Sequence, residues 1–175
     1  MLHRIKNMIV LSMLFMMSSV TCAEDIIDLK RSARNPTTPA NTLQQLATHE
    51  NPDVRQNVAR NRRAPAELLH QLAQDEEQRI RITVITNTAT TEKTHLLLAD
   101  DKSEQVRSVL ARYEYCTAAV MDKLSTDKSV EIRAEVARNW NTSLATLKKM
   151  TNDSFPEVSQ TAAREMTKRK LEAAE

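Results

Sequence analysis

Residues 54–60 read VRQNVAR, and the pattern returns every 26 residues: IRITVIT at 80–86, VRSVLAR at 106–112, IRAEVAR at 132–138 and VSQTAAR at 158–164. The same step links Leu46, Leu72, Leu98, Leu124 and Met150, and also Val58, Val84, Leu110, Val136 and Ala162. A fixed period of this size means that each unit buries its apolar face only against its neighbours, as in a stacked repeat protein. Within a unit the apolar spacing is helical, with Leu43, Leu46 and Ala47 at i, i+3, i+4 and Val54, Val58 and Ala59 at i, i+4, i+5. The reading is an all-α, right-handed α-solenoid of five two-helix units: 35–60, 61–86, 87–112, 113–138 and 139–164. Residues 23–34, with Ile26, Ile27 and Leu29, are expected to form a capping helix. Residues 165–175 are expected to be a helical extension, since Glu165 stands where Asn closes earlier units.

The first helix of each unit is expected to begin at Thr38-Pro39, Ala64-Pro65, Thr90-Thr91, Cys116-Thr117 and Thr142-Ser143, with Thr as N-cap and Pro at the first helical position. The second begins near Asn51-Pro52, Ser103, Ser129 and Phe155-Pro156, and it ends at Asn35, Asn61, Asn87 or Asn139. The chain contains no glycine. Asn tolerates the left-handed conformation that closes many helices, so these asparagines are expected to stand in for C-terminal glycines.

Met1–Lys6 carries Arg4 and Lys6, and the apolar run over 8–20 is followed by small residues and then by Glu24 and Asp25. That run is too short to span a bilayer, which takes about 18 or more apolar residues. Residues 1–22 therefore read as a signal peptide, with lipid anchoring through Cys22 as the alternative. Setting Arg4 and Lys6 aside takes the 25 basic residues to 23, against 23 acidic ones. A neutral mature chain lacks the global field that drives non-specific nucleic-acid binding. Cys116 alone among mature cysteines excludes an intramolecular disulfide framework.

Taken together, Asn-Pro, Leu-x-x-Leu-Ala, an Asp, and Val-Arg-x-x-Val-Ala-x-Asn resemble the leucine-rich repeat variant family over residues 33 to 164. The resemblance implies a short helix, often 3₁₀, paired with an α-helix in a right-handed superhelix similar to HEAT and armadillo repeats. Relatives with an iron–sulfur segment before the repeats use a cysteine cluster that Cys22 and Cys116 cannot reproduce.

Asp75/Arg81, Asp101/Arg107 and Asp127/Arg133 keep strict register and read as a structural ladder bridging neighbouring units, with His49 in the Asp position before Arg55. Arg60, Arg112 and Arg138, in a row with Arg34 and Arg164, fall in last helical turns where a cation complements the helix dipole. Tyr113, Tyr115 and Trp140 break the repeat at equivalent turns of adjacent units, so they are expected to cluster on one edge. Together with the arginines they form the candidate partner-binding set, since aromatic and Arg side chains are enriched at interface hot spots. Cys116 is expected at an N-cap, where a helix terminus can lower a thiol pKa. The four histidines show no metal-ligand spacing and His95 shares the register of Leu43 and Leu69, so no metal, cofactor or catalytic set is assigned. The expected function is that of an exported, monomeric, non-catalytic scaffold binding a protein or peptide in the cell envelope. Nucleic acid is not expected as a partner, and membrane contact only through Cys22.

Overall fold

The computed structural model describes residues 25–173; the signal and lipidation readings on 1–22 lie outside them. Helix α1 spans 25–34. Short first helices follow as α2 Ala40–Leu46, α4 Ala66–Leu72, α6 Glu92–Leu98, α8 Ala118–Leu124 and α10 Leu144–Met150, each paired with a second helix: α3 Pro52–Arg60, α5 Gln78–Ile85, α7 Glu104–Arg112, α9 Val130–Arg138 and α11 Pro156–Glu172. All described regular structure is helical, and the first helices are α rather than 3₁₀. The second helices pack side by side in the order α3, α5, α7, α9, α11, and each first helix packs against its own partner. The result is an α-solenoid.

One core runs the length of the stack. Val54, Ile80, Val106, Ile132 and Val158 are fully buried, and so are Val58, Val84, Leu110, Val136 and Ala162, the rows that define the period. The seven-residue first helices are too short to persist alone, so their stability comes from this burial. Helix α11 runs on past Arg164.

Helix starts differ from the expected positions by one residue. The N-caps of the first helices are Pro39, Pro65, Thr91, Thr117 and Ser143, and of these only the Ser143 hydroxyl accepts a capping bond, from Thr146 N–H at 3.0 Å. The preceding row has another task. Thr38 and Thr90 donate their hydroxyls back to the carbonyls of Ser32 and Val84, both at 2.6 Å, and Thr142 does the same to Val136. Each side chain thereby satisfies a carbonyl that the ending helix leaves without an intrahelical partner.

The asparagines also act otherwise than expected. Among the described residues no backbone has positive φ, and Asn61 and Asn139 are extended, at φ −73°, ψ 118° and φ −69°, ψ 128°. Left-handed closure is therefore not their role. Asn61 Nδ2 donates to the carbonyls of Ala33 and Asn35, both at 2.9 Å. Asn87 donates to Ala59 (2.7 Å) and Asn61 (2.9 Å), and Asn139 to Ala111 (2.7 Å) and Tyr113 (3.3 Å). Each Oδ1 accepts the N–H two residues on, from Arg63, Ala89 and Asn141. A buried amide thus stitches every such unit to the one before it, and the missing glycines have a simple reason: an extended turn does not need them.

Tyr113 interrupts this row, and His95 repairs it. The carbonyl that an Asn at position 113 would reach is that of Ile85, and His95 Nε2 lies 3.1 Å from it. A carbonyl can only accept, so Nε2 carries a proton and donates it to Ile85. The Tyr113 ring packs edge-on against His95 at 5.6 Å. Burial pushes the imidazole pKa down, against the opposing effect of the bond to Ile85. Below about pH 6.5 the unfolded chain therefore takes up a proton that the folded chain refuses. His95's contribution is complete above that pH and is lost as the pH falls below it, at up to about 1.4 kcal/mol per pH unit for one proton. Urea denaturation at pH 7.5 and 5.5 should show this loss in the wild type and a smaller one in His95→Gln. Equal losses would mean that His95 titrates as it does in the unfolded chain.

Candidate functional site

The charged row forms bidentate pairs between units. Arg55 grips Asp75 through Nε (2.8 Å) and Nη2 (2.9 Å), Arg81 grips Asp101 (2.6 and 2.9 Å), Arg107 grips Asp127 (2.6 and 3.1 Å), and Arg133 grips Asp153 (2.6 and 3.0 Å). The ion partner of each Arg is thus the Asp twenty residues after it. The Asp six residues before it offers a backbone carbonyl instead, as Asp75 does to Arg81 Nη1 at 2.8 Å. Each Asp Oδ1 also accepts the N–H two residues on, forming the turn that starts the second helix. In the first unit His49 Nδ1 accepts Asn51 N–H at 3.0 Å, which explains why a histidine can hold that position.

Burial raises the carboxyl pKa of Asp75, Asp101 and Asp127. The hydrogen bonds from Arg55, Arg81 and Arg107, with those from backbone N–H groups, outweigh it and hold all three below the usual carboxylate range. Asp153 is lowered first of all by its bond to Arg133. Arg55 and Asp153 belong to the ladder as fully as the six residues marked in the sequence; the step of twenty residues, rather than six, was the pattern that could have found them. Both partners of the inner rungs are about nine-tenths or more buried, and only their outer atoms reach two open grooves, one lined by Asp101, Arg107 and Asp127 and the other by Asp127, Arg133 and Asp153.

The open edge lies where the second helices end. Arg60, Arg112 and Arg138 are the last residues of α3, α7 and α9, and all three are exposed. Trp140 is 72% exposed and Tyr115 78%. These two rings line one open groove of about 470 Å³ together with Arg112, Arg138, Glu114 and Glu135. Tyr113 is half-buried beneath Tyr115, with ring centroids 5.6 Å apart, and so supports the groove without lining it. Arg60 lies further along the edge, outside the groove and separated in the row by Thr86. Two details hold the Trp140 wall. Arg169 from α11 stands 5.6 Å from the Trp140 ring and donates to the carbonyls of Trp140 (3.1 Å) and Asn139 (2.8 Å), and Asn141 Nδ2 donates to the carbonyl of Glu114. Arg138 is tied to Glu157 at 2.9 Å. Glu114, Glu135 and Arg169 were not marked in the sequence; Glu114 could have been, since it lies between Tyr113 and Tyr115, whereas Glu135 and Arg169 reach the groove and its Trp140 wall only through the stacking of α9 on α7 and α11.

Cys116 is not an N-cap residue, since Thr117 holds that position. It occupies the back-bonding row instead, its thiol donating to the Leu110 carbonyl at 3.6 Å, a weak stand-in for Thr. Burial pushes its pKa up to about 12, and the residue is 3% exposed. Its place in the Thr row and its burial leave no activation by the helix terminus. Thiol titration of a Cys22→Ala chain with a disulfide reagent should show no fast reaction when folded and one equivalent in denaturant; rapid labelling of the folded chain would contradict the burial. Among the described residues no group of His, Cys, Asp or Glu is placed to hold a metal ion, and no helix is long and apolar enough to cross a membrane.

Residues 28–87 match the Leucine Rich Repeat Variant domain. A solved structure described as a leucine-rich repeat variant with a novel repetitive protein structural motif superposes with a TM-score of 0.58 at 23% identity, over 74% of this chain and 52% of that one. The stack has the leucine-rich repeat variant fold. The chain spans about half the length of that solved structure. No curated protein matches the sequence. In this stack the repeat-to-repeat contacts are carried by buried Asn and Asp–Arg rows, and Tyr115 and Trp140 project from two of the helix-end turns.

Proposed function

We propose that this chain is an exported, non-catalytic scaffold of the cell envelope that binds a protein partner through the groove between Tyr115 and Trp140. The observation that carries the reading is the exposure of both rings in one groove that Arg112 and Arg138 also line. Exposed aromatic side chains next to Arg, whose rings the core of the stack does not bury, have the make-up of an interface centre. Repeat stacks of this kind present extended binding surfaces, and the sequence over 1–22 supports export.

The test compares wild type with Tyr115→Ala/Trp140→Ala. Proteins captured from envelope extract are identified, and each is then titrated, purified, against both chains. A partner whose affinity drops at least about tenfold, or 1.4 kcal/mol, supports the reading. A partner bound equally by both chains refutes the groove as the site.

A further inference from the structure

The edge of the stack where the second helices end is the basic one. Every second helix runs in the same sense, so its C-terminal end favours basic side chains. Exposed Arg34, Arg60, Arg62, Arg63, Arg112 and Arg138 stand on that edge, whereas the other mixes exposed Glu50, Glu76, Asp100 and Glu104 with exposed Lys102 and Lys128. Among the described residues only Arg138 of these six arginines makes an ion pair. Five guanidinium groups therefore lie along one edge without an ion partner, and that edge ends in the aromatic groove.

From this charge complementarity we infer that the edge takes an extended acidic segment of a partner protein, with an apolar side chain seated between Tyr115 and Trp140. The inference rests on the scaffold reading and names the chemistry of its partner. Packed helices lie about 8–10 Å apart, while a polyproline II segment advances about 3.1 Å per residue and returns to the same face every third residue. A carboxylate at every third position therefore keeps step with arginines on successive units. Arg112 and Arg138 end neighbouring second helices and present two such contacts beside the groove, while Thr86 leaves one register empty before Arg60. Two features favour a peptide over nucleic acid or a lipid surface. Glu114 and Glu135 line the groove and repel an anion seated there, as every nucleotide or lipid headgroup would be, whereas a peptide can place its uncharged apolar residue beside them and offer its N–H groups to their carboxylates. The groove itself is walled by two aromatic rings, a seat for one apolar side chain rather than for a flat anionic surface.

The test uses the full chain and a synthetic peptide with one leucine followed by glutamates at every third position and serines between. The readouts are fluorescence anisotropy of the labelled peptide and quenching of Trp140, the chain's one tryptophan. The expected result is saturable binding that perturbs Trp140, weakens with added salt, and falls at least about tenfold in Arg60→Glu/Arg112→Glu/Arg138→Glu. The same glutamates placed contiguously should bind several-fold more weakly, because they cannot keep the register. A thermal melt of the triple variant close to wild type shows that the change is confined to the edge. Should the triple variant be unfolded, Arg112→Gln, which removes one charge from an exposed position, carries the comparison. Equal binding by wild type and variant overturns the proposal, and so does tighter binding to single-stranded RNA or to anionic phospholipid vesicles than to the peptide. If the peptide fails while an identified partner still loses affinity on Tyr115→Ala/Trp140→Ala, the scaffold reading stands and the acidic segment falls.

Discussion

Asp101→Ala should cost the fold about 3–5 kcal/mol, the largest loss expected from any single truncation outside the apolar core. Arg81 and Asp101 are each about 5% exposed in their side chains. Deleting the carboxylate strands a guanidinium that cannot leave the stack and cannot be neutralised, since arginine stays protonated at any pH a protein survives. The Ser103 N–H loses its acceptor in the same step. A loss of that size is comparable to the whole stability of a modest domain, about 5–15 kcal/mol, so urea denaturation should show a clearly earlier or broken transition. Two controls fix the cause. Arg81→Met/Asp101→Leu removes both charges and should recover most of the loss, because an apolar pair of similar volume often matches a buried ion pair. Arg79→Ala breaks the pair with Asp53, whose side chains are 46% and 39% exposed, and should cost no more than about 1 kcal/mol. If Asp101→Ala cost no more than Arg79→Ala, the ladder would be decoration.

Acid acts on all four rungs together. Asp75, Asp101, Asp127 and Asp153 have their pKa held down in the folded state. Their contribution is therefore fully present above the unfolded value of about 3.9 and is lost as the pH drops through the folded values. Acid unfolding should accordingly be steep and set in below about pH 4, distinct from the shallower loss assigned to His95 at higher pH.

Asn87→Ala is the second large effect, at about 2–3 kcal/mol. It removes two donated bonds and orphans the Ala59 carbonyl inside the stack, while Ala89 N–H loses the acceptor that shapes the turn. Asn87→Asp separates these duties: Oδ1 survives as an acceptor, the Nδ2 donor does not, and the new carboxylate faces two carbonyls. It should be at least as damaging as the alanine. Hydrogen exchange should speed up first in the turn at 87–90 and then in the adjoining units, because each unit is held only by its neighbours. Uniform acceleration from end to end would instead indicate a single cooperative block, and an Asn87→Asp variant as stable as wild type would remove the donor from the account.

Much of the architecture was legible because it rests on apolar periodicity. The rows through Val54 and Val58 recur at a constant step, and burial of such rows depends only on which side of a helix they occupy. Legibility ended where polar groups choose their partners. The asparagines looked like helix terminators, since chain-local reasoning knows only what an Asn does to its own backbone; their partners are carbonyls 26 and 28 residues earlier. His95 had the register of a core leucine and is indeed buried, yet its Nε2–H serves the Ile85 carbonyl left without an Asn by Tyr113, a compensation invisible until the two units are stacked. Cys116 stood in the Thr row at a helix start, and only the structure set it one residue before the cap Thr117, buried, with its thiol on the Leu110 carbonyl.

The sequence by itself thus determined the period, the two-helix unit, the core rows and the turns that depart from the pattern. Those features follow from side-chain polarity and spacing along a single chain. Only the tertiary structure decided which Asp each Arg holds, what the buried amides donate to, and that Tyr115, Trp140, Arg112 and Arg138 share one groove with Glu114 and Glu135 while Arg60 does not. Hydrogen bonds and ion pairs are short-ranged and directional, so their pairing is set by the offset between neighbouring helices, a quantity that no single repeat contains.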